Sequence, residues 1–188
     1  MFELEIGLKM NQKKAGHVFI IMGVSSTGKS TIGEGLAKRI HAKFIDGDDL
    51  HPKLNILKMS SGLALSDQDR MPWLERIRDA AFSIEKKNET GVLVCSALKK
   101  KYRQQICDGN DCITFLHLHG DFDLVKERMQ DRKGHFMPIQ LLNDQFDTLE
   151  MPEEDEMNVI GVDISGSFDK VIDRCVIAAQ KELNKDTC

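Results

Sequence analysis

Five short apolar runs of β-strand type recur along the chain, and segments with the helical spacing of apolar residues lie between them. The runs are residues 17–22, 43–45, 91–95, 113–118 and 158–163. The third run is apolar throughout, which is typical of a strand that is buried on both faces. Because strands that alternate with helices favour a parallel, doubly wound sheet, we predict an α/β fold with five parallel strands and helices on both faces.

Three segments between or after these runs carry distinct side-chain patterns. Apolar residues at helical spacing from Trp73 to Ile84 predict an amphipathic helix, in which Trp73 packs in the core rather than stacking on a ligand. The basic run 99–103 opens another predicted helix, and its charges are interpreted as a mainly solvated face. The acidic stretch 150–156 is interpreted as a solvated linker before the last strand.

The turn after the first strand has the sequence Gly23-Val24-Ser25-Ser26-Thr27-Gly28-Lys29-Ser30, which fits the phosphate-binding pattern G-x-x-x-x-G-K-[ST] at every fixed position. A predicted strand precedes it and a predicted helix follows it, which is the context that this motif needs. Gly23 and Gly28 allow backbone conformations that are closed to residues with a Cβ atom. The loop N–H groups and the helix N terminus then form an anion site. Lys29 adds a charge for the β- and γ-phosphates, and Ser30 is placed to bind Mg²⁺.

An acidic turn, 46–49, follows the second strand. Carboxylates at the carboxyl end of a parallel strand face the ligand crevice, where they can serve a metal ion or a substrate. The same residue types also cap helices very often. Behind a phosphate loop, with a magnesium nucleotide implied, the functional interpretation is favoured.

Two arginines, Arg128 and Arg132, lie one helical turn apart and precede a glycine turn. This arrangement suits a lid that closes over phosphates, and the alternative is an exposed pair bonded to nearby acidic residues. Two histidines, His117 and His119, share one face of the fourth strand. Packing or hydrogen bonding is favoured for them over metal binding, because no third ligand has suitable spacing.

The composition narrows the class of protein further. The 188 residues suit a single domain, and the net charge of −4 argues against a general nucleic-acid or membrane-surface binder, which would need a basic face. The five cysteines are odd in number and show no paired C-x-x-C, so we expect reduced thiols. No apolar signal segment precedes the first strand, and the longest apolar run is too short to cross a bilayer. We expect a soluble cytoplasmic protein, with a flexible extension at 1–16 and the domain at 17–188.

Motifs of two other nucleotide-binding classes are incomplete. The D-x-x-G of regulatory GTPases occurs by its letters at 131–134 and 163–166, but the N-K-x-D that reads guanine is absent. The G-x-G-x-x-G of dinucleotide-binding dehydrogenases does not occur either. Both of these classes are therefore disfavoured, and the loop by itself indicates nucleotide phosphates without indicating an acceptor. A non-catalytic nucleotide-binding module is retained as an alternative.

The chain resembles gluconokinases of the small P-loop type, which are related to shikimate kinases. The resemblance spans about residues 17–183. Beyond the loop it rests on residues 46–52, 55, 58–59, 62, 67–74, 95–99, 102–103, 134–137, 141–142, 145–146 and 149–150. The middle blocks are specific to gluconokinases and are not shared by P-loop kinases at large. Two positions depart from the family pattern: Ser26 stands where glycine is usual, and Ala64 stands where proline is common.

The resemblance implies a three-layer P-loop NTPase fold with a substrate cap at about 49–72 and a helical lid at about 128–140. It implies ATP-dependent phosphorylation of D-gluconate at the 6-hydroxyl, which gives 6-phospho-D-gluconate and ADP, with Mg²⁺ as cofactor. A homodimer is also expected. A kinase of another sugar or polyol acid, or of shikimate, is the nearest alternative.

The resemblance also implies roles for individual residues. Asp48 is expected to orient the acceptor hydroxyl and take its proton, Arg70 to bind the gluconate carboxylate, and Lys29 and Arg132 to act at the transferred phosphate. The other expected substrate residues are His51, Lys58, Lys99 and His135. The expected nucleotide residues are Gly23, Ser25, Ser26, Thr27, Gly28, Lys29, Ser30, Thr31 and Arg128, and those for Mg²⁺ are Ser30 and Asp46.

Overall fold

A five-stranded parallel sheet forms the centre of the protein, whose computed structural model describes residues 16–131 and 138–185. The strands are β1 (His17–Met22), β2 (Lys43–Asp46), β3 (Thr90–Val94), β4 (Ile113–His119) and β5 (Val159–Asp163). Their order in the sheet is β2-β3-β1-β4-β5, and every neighbouring pair is parallel. The predicted parallel sheet is therefore confirmed, with all five strands close to their expected positions.

Helices cover both faces of the sheet. They are α1 (Lys29–Arg39), α2 (Lys53–Ser60), α3 (Asp67–Lys86), α4 (Lys100–Cys107), α5 (Phe122–Asp131), α6 (Ile139–Thr148) and α7 (Phe168–Leu183), with a short 3-10 helix at Gly47–Leu50. The two longest helices have N-terminal caps, since Ser66 and Ser167 accept hydrogen bonds from backbone N–H groups of α3 and α7. In α3, Asp69 completes a capping box by reaching back to the Ser66 backbone.

Alternate residues of β1 point into two separate hydrophobic cores. Phe19 and Ile21 belong to the core that lies under α1 and α7, whereas Val18, Ile20 and Met22 belong to the core under α3 and α4. Both faces of β1 are thus fully buried, as expected for a central strand of a three-layer α/β fold. Trp73 of α3 is 3% exposed and packs in the second core, as predicted.

The basic run and the acidic stretch 150–156 pair with each other. Most of the acidic stretch is exposed, as predicted, whereas Arg103 and Glu156 depart from the predicted solvation. Arg103 is 2% exposed, and its guanidinium donates two hydrogen bonds to the carboxylate of Glu156, at 2.5 and 2.7 Å. Lys100 contacts the carboxylates of Glu153 and Asp155. Opposite charges on two segments about fifty residues apart explain the pairing. The charge pattern of either segment alone could not predict it.

The cysteines and the helix lengths test two further expectations. Three of the cysteines, Cys95, Cys107 and Cys175, are free thiols. Within residues 16–131 and 138–185, no helix combines the length and the apolar character that a membrane span needs.

Candidate active site

The phosphate loop lies between the carboxyl end of β1 and the N terminus of α1, as its sequence context requires. Gly28 is the residue before α1 and has φ = 93°, and Gly23 has φ = 135°. A Cβ atom on Gly23 would lie 2.5 Å from the carbonyl oxygen of Leu118, and one on Gly28 would lie 2.5 Å from the ring of Phe168. Both fixed glycines of the motif are therefore required by conformation and by close packing.

Hydrogen bonds inside the loop converge on the carbonyl oxygen of Val24. The hydroxyl of Thr27, which is fully buried, and the ammonium group of Lys29 each donate to this oxygen at 2.9 Å. Ser26 has φ = 66°, in the left-handed region that favours glycine. The departure from the family pattern at Ser26 thus falls on a residue whose backbone conformation is costly for a side chain with a Cβ atom.

A contact that sequence analysis missed joins the loop to α6. The side-chain amide of Gln145 accepts a hydrogen bond from the backbone N–H of Ser25 at 2.7 Å and donates one to the Ser25 hydroxyl at 2.9 Å. The two residues are 120 positions apart in the chain. The resemblance included Gln145 in a matching block, which was the only signal for it in the sequence.

The acidic turn after β2 lies beside the start of α1. The hydroxyl of Ser30 donates to Asp46 at 2.9 Å, and the other carboxylate oxygen of Asp46 accepts the backbone N–H of Asp48 at 3.1 Å. Asp46 therefore caps the 3-10 helix, as one interpretation of this turn predicts, and it also contacts the loop's serine. The side chain of Asp48 is 87% exposed and lies 4.0 Å from the Nε2 atom of His51.

His51 is held in a buried position under this turn. Its ring stacks on Trp73 with centroids 4.2 Å apart, and Trp73 donates its ring N–H to the carbonyl oxygen of Gly47 at 2.7 Å. Burial lowers the pKa of His51, the charge of Asp48 opposes that shift, and Arg70 adds to it. The lowered pKa favours the neutral imidazole, which can both donate and accept a hydrogen bond.

The predicted substrate cations lie around the start of α3. Lys58 pairs with Asp69 at 2.6 Å, and Lys99 pairs with Asp67 at 2.9 Å. Arg70 donates to the carbonyl oxygen of Leu65 at 2.5 Å. These contacts bring α2, α3 and the start of α4 together on the side of the acidic turn.

Tyr102, which sequence analysis did not assign to the site, organises two of these cations. The guanidinium of Arg70 and the ammonium of Lys99 lie 6.0 and 5.7 Å from its ring centroid. Its hydroxyl donates to Asp67, which also accepts from Lys101, and these hydrogen bonds hold the pKa of the Asp67 carboxyl well below its usual range. The Asp67 carboxylate is thus the common acceptor of Lys99, Lys101 and Tyr102.

Arg128 of α5 spans the loop and the connection between β5 and α7. Its guanidinium donates to the carbonyl oxygens of Thr27, Ile164 and Gly166 and lies 5.0 Å from the ring centroid of Phe168. Its described hydrogen bonds go to carbonyl groups and not to carboxylates, which differs from the alternative of an arginine bonded to acidic residues. Arg132 and His135 lie outside the described residues.

The two histidines of β4 lie apart from this cluster. His117 is 2% exposed, and its ring centroid is 5.7 Å from that of His119. Burial, with smaller contributions from the charges of His119 and Arg103, lowers the pKa of His117 to about 4. Among the residues that the structure describes, no group of three or more histidine, cysteine, aspartate or glutamate side chains could hold a metal ion. The favoured interpretation, packing rather than metal binding, agrees with this burial.

Taken together, these contacts form an anion site with a carboxylate pair on one side and a cationic cluster beyond it. Such a site can bind the phosphates of a nucleotide, Mg²⁺ through oxygen ligands, and an acidic second substrate.

Comparisons with known proteins agree with this description. Residues 25–158 match the shikimate kinase family. The chain is 53% identical over 161 residues to the thermosensitive gluconokinase of Escherichia coli K12, and the match covers 86% of each chain. It is 43% identical to the gluconokinase of Gluconobacter oxydans 621H, and this match covers 82% of this chain and 83% of the relative.

Solved structures give the same result. The crystal structure of a gluconokinase from Sinorhizobium meliloti 1021 superposes with a TM-score of 0.80 at 38% identity, covering 89% of this chain and 93% of that one. The shikimate kinase of Aquifex aeolicus shares the fold, with a TM-score of 0.55 at 14% identity over 87% of this chain and 96% of that one. The chain therefore belongs to the gluconokinase family of shikimate kinase-like P-loop kinases.

Proposed function

We propose that this protein transfers the γ-phosphoryl group of ATP to the 6-hydroxyl of D-gluconate, giving 6-phospho-D-gluconate and ADP. The observation that carries the proposal is the position of Asp46 and Asp48 between a complete phosphate loop and a cluster of cationic side chains. Membership of the gluconokinase family supports the choice of acceptor.

The nucleotide would bind at the loop. Lys29, the hydroxyl of Thr31 and the backbone N–H groups from Ser26 to Ser30 would bind its phosphates. The position of the loop at the N terminus of α1 supports this assignment. The hydroxyl of Ser30 and the carboxylate of Asp46, 2.9 Å apart, are hard oxygen ligands that suit Mg²⁺. When bound, Mg²⁺ would neutralise charge on the phosphate oxygens. Arg128, across the loop, would face the base or the phosphates.

Asp48 is the proposed proton acceptor. Its carboxylate is exposed toward solvent and lies two residues beyond Asp46 on the 3-10 helix. As the gluconate hydroxyl oxygen forms its bond to the γ-phosphorus, the bond to the bridging oxygen of ADP breaks and the hydroxyl proton passes to Asp48. Phosphoryl transfer depends mainly on position and charge, so Asp48 also orients the hydroxyl.

The cationic cluster would recognise gluconate. Arg70 presents a planar guanidinium, which matches a carboxylate in two hydrogen bonds. Lys58 and Lys99 would bind gluconate hydroxyls from their positions beside Asp69 and Asp67. The neutral ring of His51 would contribute a hydrogen bond to another hydroxyl.

The remaining elements of the proposal concern the lid and the assembly. Arg132 and His135 would act from the lid at about 128–140, where closure would exclude water that otherwise competes for the phosphoryl group. The cap at about 49–72 would hold the acceptor, and 17–188 would be the kinase domain. Residues 1–15 of the expected N-terminal extension lie outside the described residues. We also propose a cytoplasmic homodimer that binds neither nucleic acid nor membranes.

An assay of ADP release with Mg-ATP tests the proposed reaction. Gluconate, shikimate, other sugar acids and no acceptor are compared, and release is expected with gluconate alone. The Asp48→Asn variant, which keeps the size of the side chain, should lose activity by about 10³-fold because general-base catalysis and acceptor orientation are both removed. Release with shikimate or another acid instead of gluconate would refute the acceptor assignment, and full activity of Asp48→Asn would refute the role of Asp48.

A further inference from the structure

We propose that Gln145 is a positioning residue of the phosphate loop, which holds the loop in its binding conformation despite the serine at its left-handed position. The inference rests on the proposed assignment of this loop to the nucleotide. It concerns Ser26, whose φ of 66° would be unstrained for glycine.

A left-handed residue with a Cβ atom persists only where its surroundings hold it in that conformation. On the carboxyl side of Ser26, Thr27 is fully buried and its hydroxyl donates to the carbonyl oxygen of Val24. On the amino side, the corresponding constraint comes from outside the loop. Gln145 accepts the N–H of Ser25, which fixes the peptide unit between Val24 and Ser25, and donates to the Ser25 hydroxyl.

Gln145 is well supported for this role. It lies near the end of α6, and just beyond that helix the backbone N–H of Glu150 donates to the carbonyl oxygen of Leu98 at 2.9 Å. The helix is thus anchored to the β3–α4 connection independently of the loop. The amide of Gln145 is half-buried, so its two hydrogen bonds compete less with water than exposed ones would.

Apolar contacts also join α6 to the loop. Val24 is 3% exposed and belongs to the same core cluster as Leu142 of α6, with Phe146 and Leu149 packed against that cluster. These apolar contacts hold the side chain of Val24, whereas the hydrogen bonds of Gln145 hold the backbone N–H and the hydroxyl of Ser25, the residue before the left-handed position.

Replacement of Gln145 by leucine tests the link. Loss of the two hydrogen bonds should raise the dissociation constant for ADP, measured by calorimetry, and the KM for ATP by about tenfold. The KM for gluconate should stay within about twofold, because the acceptor contacts other elements. Gln180→Leu, the same change at an exposed position of α7, is the control and should alter neither constant.

The decisive measurement places the same replacement in a Ser26→Gly background. Glycine adopts the left-handed conformation without strain, so the effect of Gln145→Leu should fall from about tenfold to about threefold. An equal effect in both backgrounds, or an equal rise of the KM for ATP and for gluconate, would overturn the proposal. If Gln145→Leu does not fold, Ser25→Ala, which removes one of the two bonds, is measured in the same two backgrounds with the same expectation.

The outcomes separate this inference from the proposed function. Failure of the unaltered protein to bind ADP would refute the nucleotide site itself. Normal ADP binding by both the unaltered protein and Gln145→Leu would leave that site in place and refute the positioning role alone.

Discussion

The phosphate loop and the contact between α4 and the acidic stretch 150–156 are both rich in residues with strong local signals, yet only the first could be interpreted locally. The loop is one continuous segment, so its glycines, its lysine and its serine lie close together in the sequence. In the second region, Arg103 and Glu156 are 53 residues apart and become a buried ion pair only when the chain returns from α6 to β5. A charge run thus has a different meaning depending on what the fold brings against it.

The physical difference is the range of the interactions that define each region. Gly28 is constrained by its own φ of 93° and by its position at a helix start. Arg103, in contrast, donates to the carbonyl oxygens of Ala97, Leu98 and Glu150 as well as to Glu156. Burial of such a guanidinium is acceptable only when these acceptors are all present.

The largest expected effect is the loss of activity on substitution of the lysine in the phosphate loop. Lys29→Met removes the charge at the phosphates and should lower kcat/KM for ATP by about 10³-fold, because charge neutralisation is a main contribution to phosphoryl transfer. Steady-state kinetics measure the effect, and the urea midpoint of unfolding should remain close to that of the unaltered protein. A large loss of stability with little loss of turnover would show that this residue is structural.

The next prediction concerns the buried ion pair. Arg103→Met leaves the Glu156 carboxylate buried without its partner and should lower the free energy of unfolding by about 3 kcal/mol. Urea denaturation measures the loss. Lys100→Met, which breaks only pairs with exposed carboxylates, should cost much less and is the control. Equal losses would contradict the distinction between the two pairs.

His117, whose pKa the charge of Arg103 helps to lower, makes the stability of the protein depend on pH. Its pKa is lowered to about 4 in the folded protein, so below the unfolded value of 6.5 the unfolded chain binds a proton that the folded chain does not. Stability is therefore fully present above pH 6.5 and should fall by about 2–3 kcal/mol as the pH drops from 6.5 to 4.

His117→Asn should flatten this dependence, because the titrating group is gone. Urea midpoints taken across the same pH range measure it. Some slope is expected to persist because burial also lowers the pKa of His51. An unchanged slope in the variant would mean that His117 is protonated in the folded protein.

The smallest expected effect tests the loop's one unusual residue. Ser26→Gly relieves a left-handed conformation and should raise the free energy of unfolding by about 1 kcal/mol, less the extra entropy of glycine in the unfolded chain. Urea denaturation of this variant and of Ser61→Gly, a control at an exposed helix end with negative φ, gives the comparison. A net destabilisation by Ser26→Gly would contradict the strain argument.

The sequence by itself determined the order of strands and helices, the phosphate loop and the acidic turn after β2. These features depend on interactions within a few residues: apolar periodicity, glycine conformations, and a strand end followed by carboxylates. The resemblance added the acceptor class and the identities of Asp48 and Arg70, since residue types at matching positions carry that information without a structure.

Only the tertiary structure decided which distant side chains meet. Gln145 reaches Ser25 across 120 residues, and Tyr102 meets Asp67 across 35. The burial of Arg103 against the acidic stretch likewise depends on chain segments that pack together from separate parts of the sequence. Such contacts depend on the relative positions of whole helices on the sheet, and no local pattern along the chain encodes those positions.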